Sequence, residues 1–169
     1  MKGKNYVTID RFNTKLGIQY SDYASKKLKK DYWIVKKDFI YYMDDSKESY
    51  VYVPSGYLTD GASVPRAFWS VIPPWGKYGQ CCVLHDYLCE YPYYFNGLNS
   101  PTLNRKMVNQ IFNKSMKFSD VPYLTRKTIY GGVELYRHTV RDGFEPKNVK
   151  KITVEYEIRD FFTKTGEWM

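Results

Sequence analysis

The stretch from Leu58 to Glu90 constrains the fold more than any other part of the chain. It opens with a Thr-Asp-Gly-Ala-Ser turn that contains Asp60, and it closes with an apolar run, predicted to be a helix, that carries His85 and Asp86. The connector between them is rich in helix-breaking residues: Pro65, Pro73, Pro74, Gly76 and Gly79. Such a connector is rigid and mostly non-helical, because proline fixes φ and lacks an N–H. We therefore expect it to fold back and bring the turn against the helix.

Length and composition predict one domain with a real core, alone or with arms. The chain has 169 residues, which fits a single domain. No apolar run approaches the length of a membrane span, so no transmembrane helix is expected, and the first residues lack the apolar core of a secretory signal. The three cysteines, crowded between Cys81 and Cys89, do not form a disulfide framework. They favour folding in a reducing cytoplasm.

The surface is predicted to be basic and rich in tyrosine. The net charge is +8, from 26 basic and 18 acidic residues, and lysines cluster within residues 26–30 and 147–151. Attraction to nucleic acid, anionic lipid or an acidic partner is one interpretation, and a lysine-rich solvated surface is the other. No nucleic-acid motif accompanies the charge, so specific recognition of nucleic acid is not expected. The 18 tyrosines suit either protein interfaces or the filling of a small core.

Strand patterns precede helix patterns along the chain. Residues 1–30 have no sustained period and are interpreted as an arm or a peripheral strand. From Tyr32 onward, three β-branched and aromatic runs (YWIVKK, DFIYYM and SYVYVP) alternate with polar turns, which predicts an antiparallel meander.

Three helices and a final strand are predicted after the meander. The first helix spans about Lys77 to Tyr91, the second opens at Ser100-Pro101, and the third spans about Pro122 to Thr139. The segment ITVEYEIRDFF alternates and predicts a closing strand. The predicted fold class is α+β, with an N-terminal arm (1–30), a central α+β domain (31–145) and a C-terminal strand or arm (146–169).

The candidate site combines the turn with the first helix. His85 and Asp86 are adjacent, so their side chains point about 100° apart and must face different partners. Asp86 and Asp60 can each supply a carboxylate oxygen, and the backbone carbonyl of Gly61 a third. Oxygen ligands of this kind suit a hard cation, calcium above all. His85 could then act as a general base on a water molecule.

Simpler interpretations stand beside each of these residues. Asp60 can bond backbone amides within its own turn, and a single histidine on a helix, such as His85, is more often structural. Cys81, His85 and Cys89 share a helix face, but they extend about 12 Å along the axis, so one zinc ion could reach only two of them. Thiols packing that face are the better account. His138 is interpreted as part of a solvated helix face.

Five motifs follow one another along the chain: Val53-Pro54-x-Gly56, Thr59-Asp60-Gly61-Ala62-Ser63-Val64-Pro65-Arg66, Phe68-Trp69, Pro73-Pro74-Trp75-Gly76-x-Tyr78-Gly79 and Val83-Leu84-His85-Asp86-Tyr87-Leu88. This ordered set resembles the DUF1353 family, whose function is unknown and whose members are found mainly in phages and prophages. The resemblance covers roughly residues 50–118.

The same motifs are more distantly similar to the bacterial and fungal secreted phospholipases A2. That similarity implies a phospholipase-like helical pair, with Asp60, the carbonyl of Gly61 and Asp86 at calcium-ligand positions and His85 at the catalytic histidine. Where those enzymes orient the histidine with an aspartate on the second helix, this chain has Asn109, 24 residues after His85. An asparagine can hold the imidazole by a hydrogen bond, but it cannot stabilise the imidazolium. In a serine-protease triad, the same change from aspartate to asparagine lowers turnover by a factor of about 10⁴.

Two functions remain open at this stage. One is a phage structural or assembly component, in the tail or head–tail region of the virion after synthesis in the bacterial cytoplasm. Its partners would be other virion proteins, and an oligomer is compatible with it. The other is a calcium-dependent phospholipid or ester hydrolase at an anionic membrane, with His85 as base and Asn109 as orienting residue. A host-interaction factor and a binder of another small ligand are further alternatives.

Overall fold

Helices and short antiparallel strands together make up the fold, as predicted for the α+β class. The structure is a computed structural model that describes residues 11–61 and 76–169. The prolines of the connector, Pro65, Pro73 and Pro74, lie outside these residues. In chain order the described elements are β1 (Ile18–Tyr20), α1 (Asp22–Leu28), β2 (Trp33–Val35), β3 (Phe39–Tyr42), β4 (Ser49–Val53), β5 (Leu58–Thr59), α2 (Gly79–Glu90), β6 (Phe95–Asn96), α3 (Arg105–Phe118), α4 (Tyr123–Thr139) and α5 (Val149–Thr165).

The strands form two small sheets rather than one meander. The β3–β4 hairpin is present as predicted, and β6 pairs with the far edge of β4. The placement of β2 beside β3 was wrong, because β2 pairs with β1 and β5 in a second sheet. After β4 the chain turns at Gly56, whose φ of +78° suits glycine, and returns along β2. Val35 then donates its N–H to the carbonyl of Tyr57 at 2.9 Å.

The N-terminal region contains a helix as well as the expected peripheral strand. Strand β1 lies at the edge of its sheet, and α1 follows it directly. Ser21 caps α1 by accepting a hydrogen bond from the N–H of Ala24. The buried Ala24 turns toward the second core described below.

The three predicted helices α2, α3 and α4 are confirmed, with one boundary corrected. Ser100-Pro101 does not open α3, because Leu103 donates its N–H to the carbonyl of Pro92 at 2.7 Å and keeps the chain extended there. The helix begins at Arg105, and Asn104 caps it by accepting from the N–H of Met107.

The predicted C-terminal strand was wrong, because this segment is the helix α5. Its buried residues are Lys151, Val154, Glu155 and Ile158, which share one helical face. Half of that face is charged, so the remaining apolar residues showed the alternating pattern of a strand instead of a helical period. Asn148 caps the start of the helix, and Gly166 ends it in the left-handed conformation.

Two cores hold these elements together. Helix α2 lies at the centre of the larger core and buries eight of its twelve residues, packed against α3, which packs in turn against α4. The smaller core joins α1, β2, β5 and α5 through Ala24, Tyr32, Ile34, Leu58, Val154 and Ile158. Among the described helices, His85 thus lies on the one with the largest buried share of its residues. Across the described residues, no helix has both the length and the apolar character that a membrane crossing requires.

Candidate functional site

The folded chain brings the predicted site residues to one cavity. Asp60 follows β5, His85 and Asp86 lie on α2, and all three side chains border a cavity of about 450 Å³. We call it the His85 cavity; its lining comprises Lys30, Asp60, His85, Asp86, Cys89, Arg105, Gly132, Val133, Tyr136 and Glu145. The expected meeting of the turn with the helix is thus present, although much of the connector lies outside the described residues.

A buried hydrogen-bonded chain holds His85. Its Nε2 lies 2.8 Å from Oδ1 of Asn109, and Nδ2 of Asn109 donates to Oε1 of Glu134 at 2.6 Å. An ionised carboxylate can only accept hydrogen bonds, so Glu134 requires the NH₂ group of Asn109, and Oδ1 turns to the imidazole. This network assigns the proton of neutral His85 to Nε2 and leaves the lone pair on Nδ1.

The surroundings of His85 keep it neutral. The residue is only 3% exposed, and the ring of Phe112 stacks on the imidazole with centroids 4.5 Å apart. Burial lowers the pKa of His85 to about 4; the hydrogen bond to Asn109 acts in the opposite direction, and the charge of Arg105 lowers it further. A base with this pKa is protonated only weakly at neutral pH. It is therefore a poor match to general-base catalysis, which works best when the pKa lies near the working pH.

Glu134 anchors the far end of the chain, and the sequence patterns did not single it out. Burial raises the pKa of Glu134, but hydrogen bonds from Arg137 and Asn109 outweigh this and lower it overall. Arg137 bonds Glu134 through Nη2 at 2.9 Å and Asp142 through Nη1 at 2.8 Å. His138 is exposed, as predicted for a solvated face. The inward turn of Glu134 depends on helix packing, so only its i, i+3 spacing to Arg137 was visible in the sequence.

Thr59 links Asp86 to the turn that carries Asp60. Its Oγ1 donates to Oδ2 of Asp86 at 2.7 Å and accepts from the N–H of Gly61 at 3.2 Å. Gly61 has a φ of +63°, a left-handed conformation that suits glycine in the turn after Asp60. On the other side, the ammonium of Lys30 bonds Oδ2 of Asp60.

These donors fall short of a calcium shell. Calcium takes six to eight oxygen ligands. The described residues offer the carboxylates of Asp60 and Asp86 and the carbonyl of Gly61, and one oxygen of each carboxylate already accepts a hydrogen bond. Within residues 11–61 and 76–169, no three His, Cys, Asp or Glu side chains form a metal-binding group. The calcium assignment therefore stays a prediction, and Lys30 would have to leave Asp60 for it to hold.

The three cysteines lie on α2 and pack within or beside the larger core. Cys81 and Cys82 are buried, and Cys89 is partly buried beside His85. The Sγ of Cys89 lies 3.9 Å from both ring nitrogens of His85, so it is not directed specifically at the lone pair on Nδ1. Burial raises the pKa of Cys89 to about 12, which keeps the thiol protonated. This contact is one of packing.

A second charged cluster, unforeseen from the sequence, joins α2 to α5. The ammonium of Lys151 bonds Glu90 and lies 3.6 Å from Oε1 of Glu155. Oε1 of Glu155 also accepts the N–H of Leu58 at 2.9 Å, and the hydroxyl of Tyr57 donates to Glu90 at 3.1 Å. Burial raises the pKa of Glu155, although the charge of Lys151 opposes this. The cluster fixes the C-terminal helix beside the site.

Comparison with known proteins supports the resemblance found in the motifs. The family described as "Protein of unknown function (DUF1353)" matches residues 33–133, more than half of the chain and inside the predicted central domain. The uncharacterized protein y4jT of Sinorhizobium fredii (strain NBRC 101917 / NGR234) is 37% identical over 86 residues, which are 50% of this chain and 23% of that protein. The chain thus matches about a quarter of the length of this relative. No solved structure matches this chain. The chain belongs to the DUF1353 family of proteins of unknown function.

Proposed function

We propose that this chain is a non-catalytic structural or assembly component of a phage virion, in the tail or head–tail region, and that its phospholipase-like site now serves the fold. The observation that carries the proposal is the His85–Asn109–Glu134 chain. In this chain the imidazole of His85 is hydrogen-bonded to a neutral amide, and burial holds the pKa of His85 at about 4. A histidine in that position stabilises a core more readily than it accepts a proton from water.

The state of the two carboxylates supports the same proposal. Asp60 is paired with Lys30, and Asp86 accepts the hydroxyl of Thr59. Both carboxylates therefore have bonds that tie β5 to neighbouring elements. This is what we expect when former ligands have become structural residues.

The exposed tyrosines support a role in contacts with other proteins. Five tyrosines of the described residues are exposed, and tyrosine is well suited to contacts that are apolar at one end and polar at the other. They are Tyr20, Tyr52, Tyr123, Tyr136 and Tyr156. Spread over strands and helices, they would allow a small domain to contact more than one virion protein.

One observation favours a calcium-dependent ester hydrolase as a second candidate. His85, Asp60 and Asp86 border the same cavity, and the lone pair of His85 lies on the nitrogen that Asn109 does not use. This candidate requires a metal shell that the described residues do not complete. It also requires a base stronger than His85 is in this environment.

Particle association tests the proposal. Particles purified on a density gradient from the host that produces this chain should contain it at a constant ratio to the major capsid protein. The variant with Asp60→Asn and Asp86→Asn should be incorporated equally well. Absence of the wild-type chain from the particles would overturn the structural role. A hydrolase predicts instead calcium-stimulated fatty acid release from phosphatidylglycerol vesicles, lost in the double variant.

A further inference from the structure

We propose that Arg105 and the His85 cavity form a binding site for an oxyanion, a carboxylate or a phosphate group carried by a small ligand. Arg105 lies at the first position of α3, and its side chain lines the cavity. The proposal is independent of the virion role, because a structural component and an enzyme could each bind such a ligand here.

The position of Arg105 in its helix is electrostatically unfavourable without an anion. The N-terminus of a helix carries a partial positive charge, and acidic residues normally occupy its first turn. The first turn of α3 has no acidic residue, and Lys106 follows Arg105. Asn104 caps the N–H of Met107, which leaves other N–H groups at this helix end without a helical partner. Helix ends with these properties are suited to bind anions.

One nitrogen of the Arg105 guanidinium has no partner among the described residues. Its Nε is buried and has no hydrogen-bond partner. In the part of the chain that the structure describes, we find no hydrogen bond or ion pair from Arg105 to any side chain or carbonyl. Arg137 and Arg159 each lie within 4 Å of a glutamate oxygen, at 2.9 and 3.8 Å. A buried, unpartnered Nε at the wall of a cavity can donate to an anionic ligand there.

The other charges of the cavity narrow the class of ligand. Two charged residues of the cavity already have partners: Lys30 is paired with Asp60, and Glu145 lies 3.4 Å from Arg141. Among the described residues, Arg105 is therefore the cation of the cavity that has no carboxylate partner. The planar guanidinium matches the two oxygens of a carboxylate or phosphate. Asp60, Asp86 and Glu145 on the same walls repel polyanions such as nucleic acid. We therefore expect a small ligand with one oxyanion and hydrogen-bond donors on the rest of the molecule.

Calorimetric titration with sodium phosphate and with sodium acetate, each against sodium chloride at equal ionic strength, tests the site. Wild type should bind at least one of the two anions saturably with a stoichiometry of one. Arg105→Gln should weaken that binding at least tenfold. The matched control is Lys106→Gln, which removes the same charge from the same helix turn and should leave binding within twofold of wild type. Tighter binding of acetate assigns a carboxylate ligand, and tighter binding of phosphate assigns a phosphate group.

Two results would overturn the proposal. One is the lack of saturable binding of either anion by wild type, and the other is equal binding by wild type and Arg105→Gln. If Arg105→Gln does not fold, the side-chain N–H resonance of Arg105 in the wild-type protein provides a second measurement. A saturating shift of that resonance with the anion supports the site, and a resonance that moves no more than those of exposed arginines contradicts it.

Discussion

Replacing Asn109 by aspartate would introduce the residue expected at this position of a phospholipase A2-like site, but the structure predicts that it destabilises this chain. Asn109 is fully buried, and its NH₂ group donates to Glu134 at 2.6 Å. An ionised aspartate has no proton to donate, so Asn109→Asp would place two carboxylates in direct contact. Either the new carboxyl stays protonated, or His85 takes up a proton to compensate it.

The cost follows from these two routes. Losing a hydrogen bond to a charged group costs about 1.5–3 kcal/mol. Keeping the new carboxyl protonated at pH 7, against an ordinary aspartate pKa of about 3.9, costs about 4 kcal/mol. Protonation of His85 limits this cost, because it gives the new carboxylate a cationic partner. We expect Asn109→Asp to lower the free energy of unfolding by about 3 kcal/mol.

A second substitution tests the cause. In Asn109→Asp/Glu134→Gln, the amide of the new glutamine can donate to the new aspartate, so the repulsion is removed. Urea unfolding of wild type, both single variants and the double variant should give a coupling free energy of about 1.5 kcal/mol or more in favour of the pair. Additive effects, or an Asn109→Asp variant as stable as wild type, would refute the reasoning. A rise of esterase activity in either aspartate variant would show that the frame is still catalytically competent.

Three further predictions concern the core. The pKa of His85 is about 4 in the folded chain and 6.5 ordinarily, so the unfolded chain binds more protons between pH 6.5 and pH 4. The free energy of unfolding should therefore fall by about 3 kcal/mol as the pH drops from 6.5 to 4. Urea unfolding at stepped pH should show this loss in wild type but not in His85→Gln. Gly56→Ala should lower the free energy of unfolding by about 1–2 kcal/mol because of its φ of +78°, and further because the new Cβ would lie 2.6 Å from Cγ of Arg159. Gly97→Ala has a positive φ but open space around it, so it should cost only the backbone part. Equal losses of stability in the two variants would contradict the clash. Lys151→Met should lower the free energy of unfolding by about 3–5 kcal/mol, because it leaves two glutamates without their buried cation. Thermal or urea unfolding measures this loss. A loss below about 1 kcal/mol would contradict the role of this charged cluster in holding α5.

The sequence predicted elements whose pattern is local. Helices α2 to α4 follow an apolar period of 3.6, and the β3–β4 hairpin follows two alternating runs around a polar turn. The pairing of β2 with β5 was not predicted, because it depends on a return of the chain at Gly56. Helix α5 was mistaken for a strand because Lys151 and Glu155 occupy its buried face, where a period of apolar residues would otherwise be visible.

The candidate site shows the same division. The spacing of Asn109 from His85, known through the family resemblance, anticipated two residues that the structure places 2.8 Å apart. Glu134 and Arg105 carry no local pattern that marks them. Their roles arise only when α3 packs against α2 and α4 packs against α3, so they became visible only in the fold.

Calcium binding tests the central claim that the site is structural. Calcium should be titrated by calorimetry into wild type and into Asp60→Ala/Asp86→Ala, up to the several millimolar at which weak protein sites fill. The account predicts no stoichiometric binding by wild type, since Lys30 and Thr59 already occupy an oxygen of each carboxylate. Stoichiometric binding by wild type that disappears in the double variant would contradict it and favour the hydrolase.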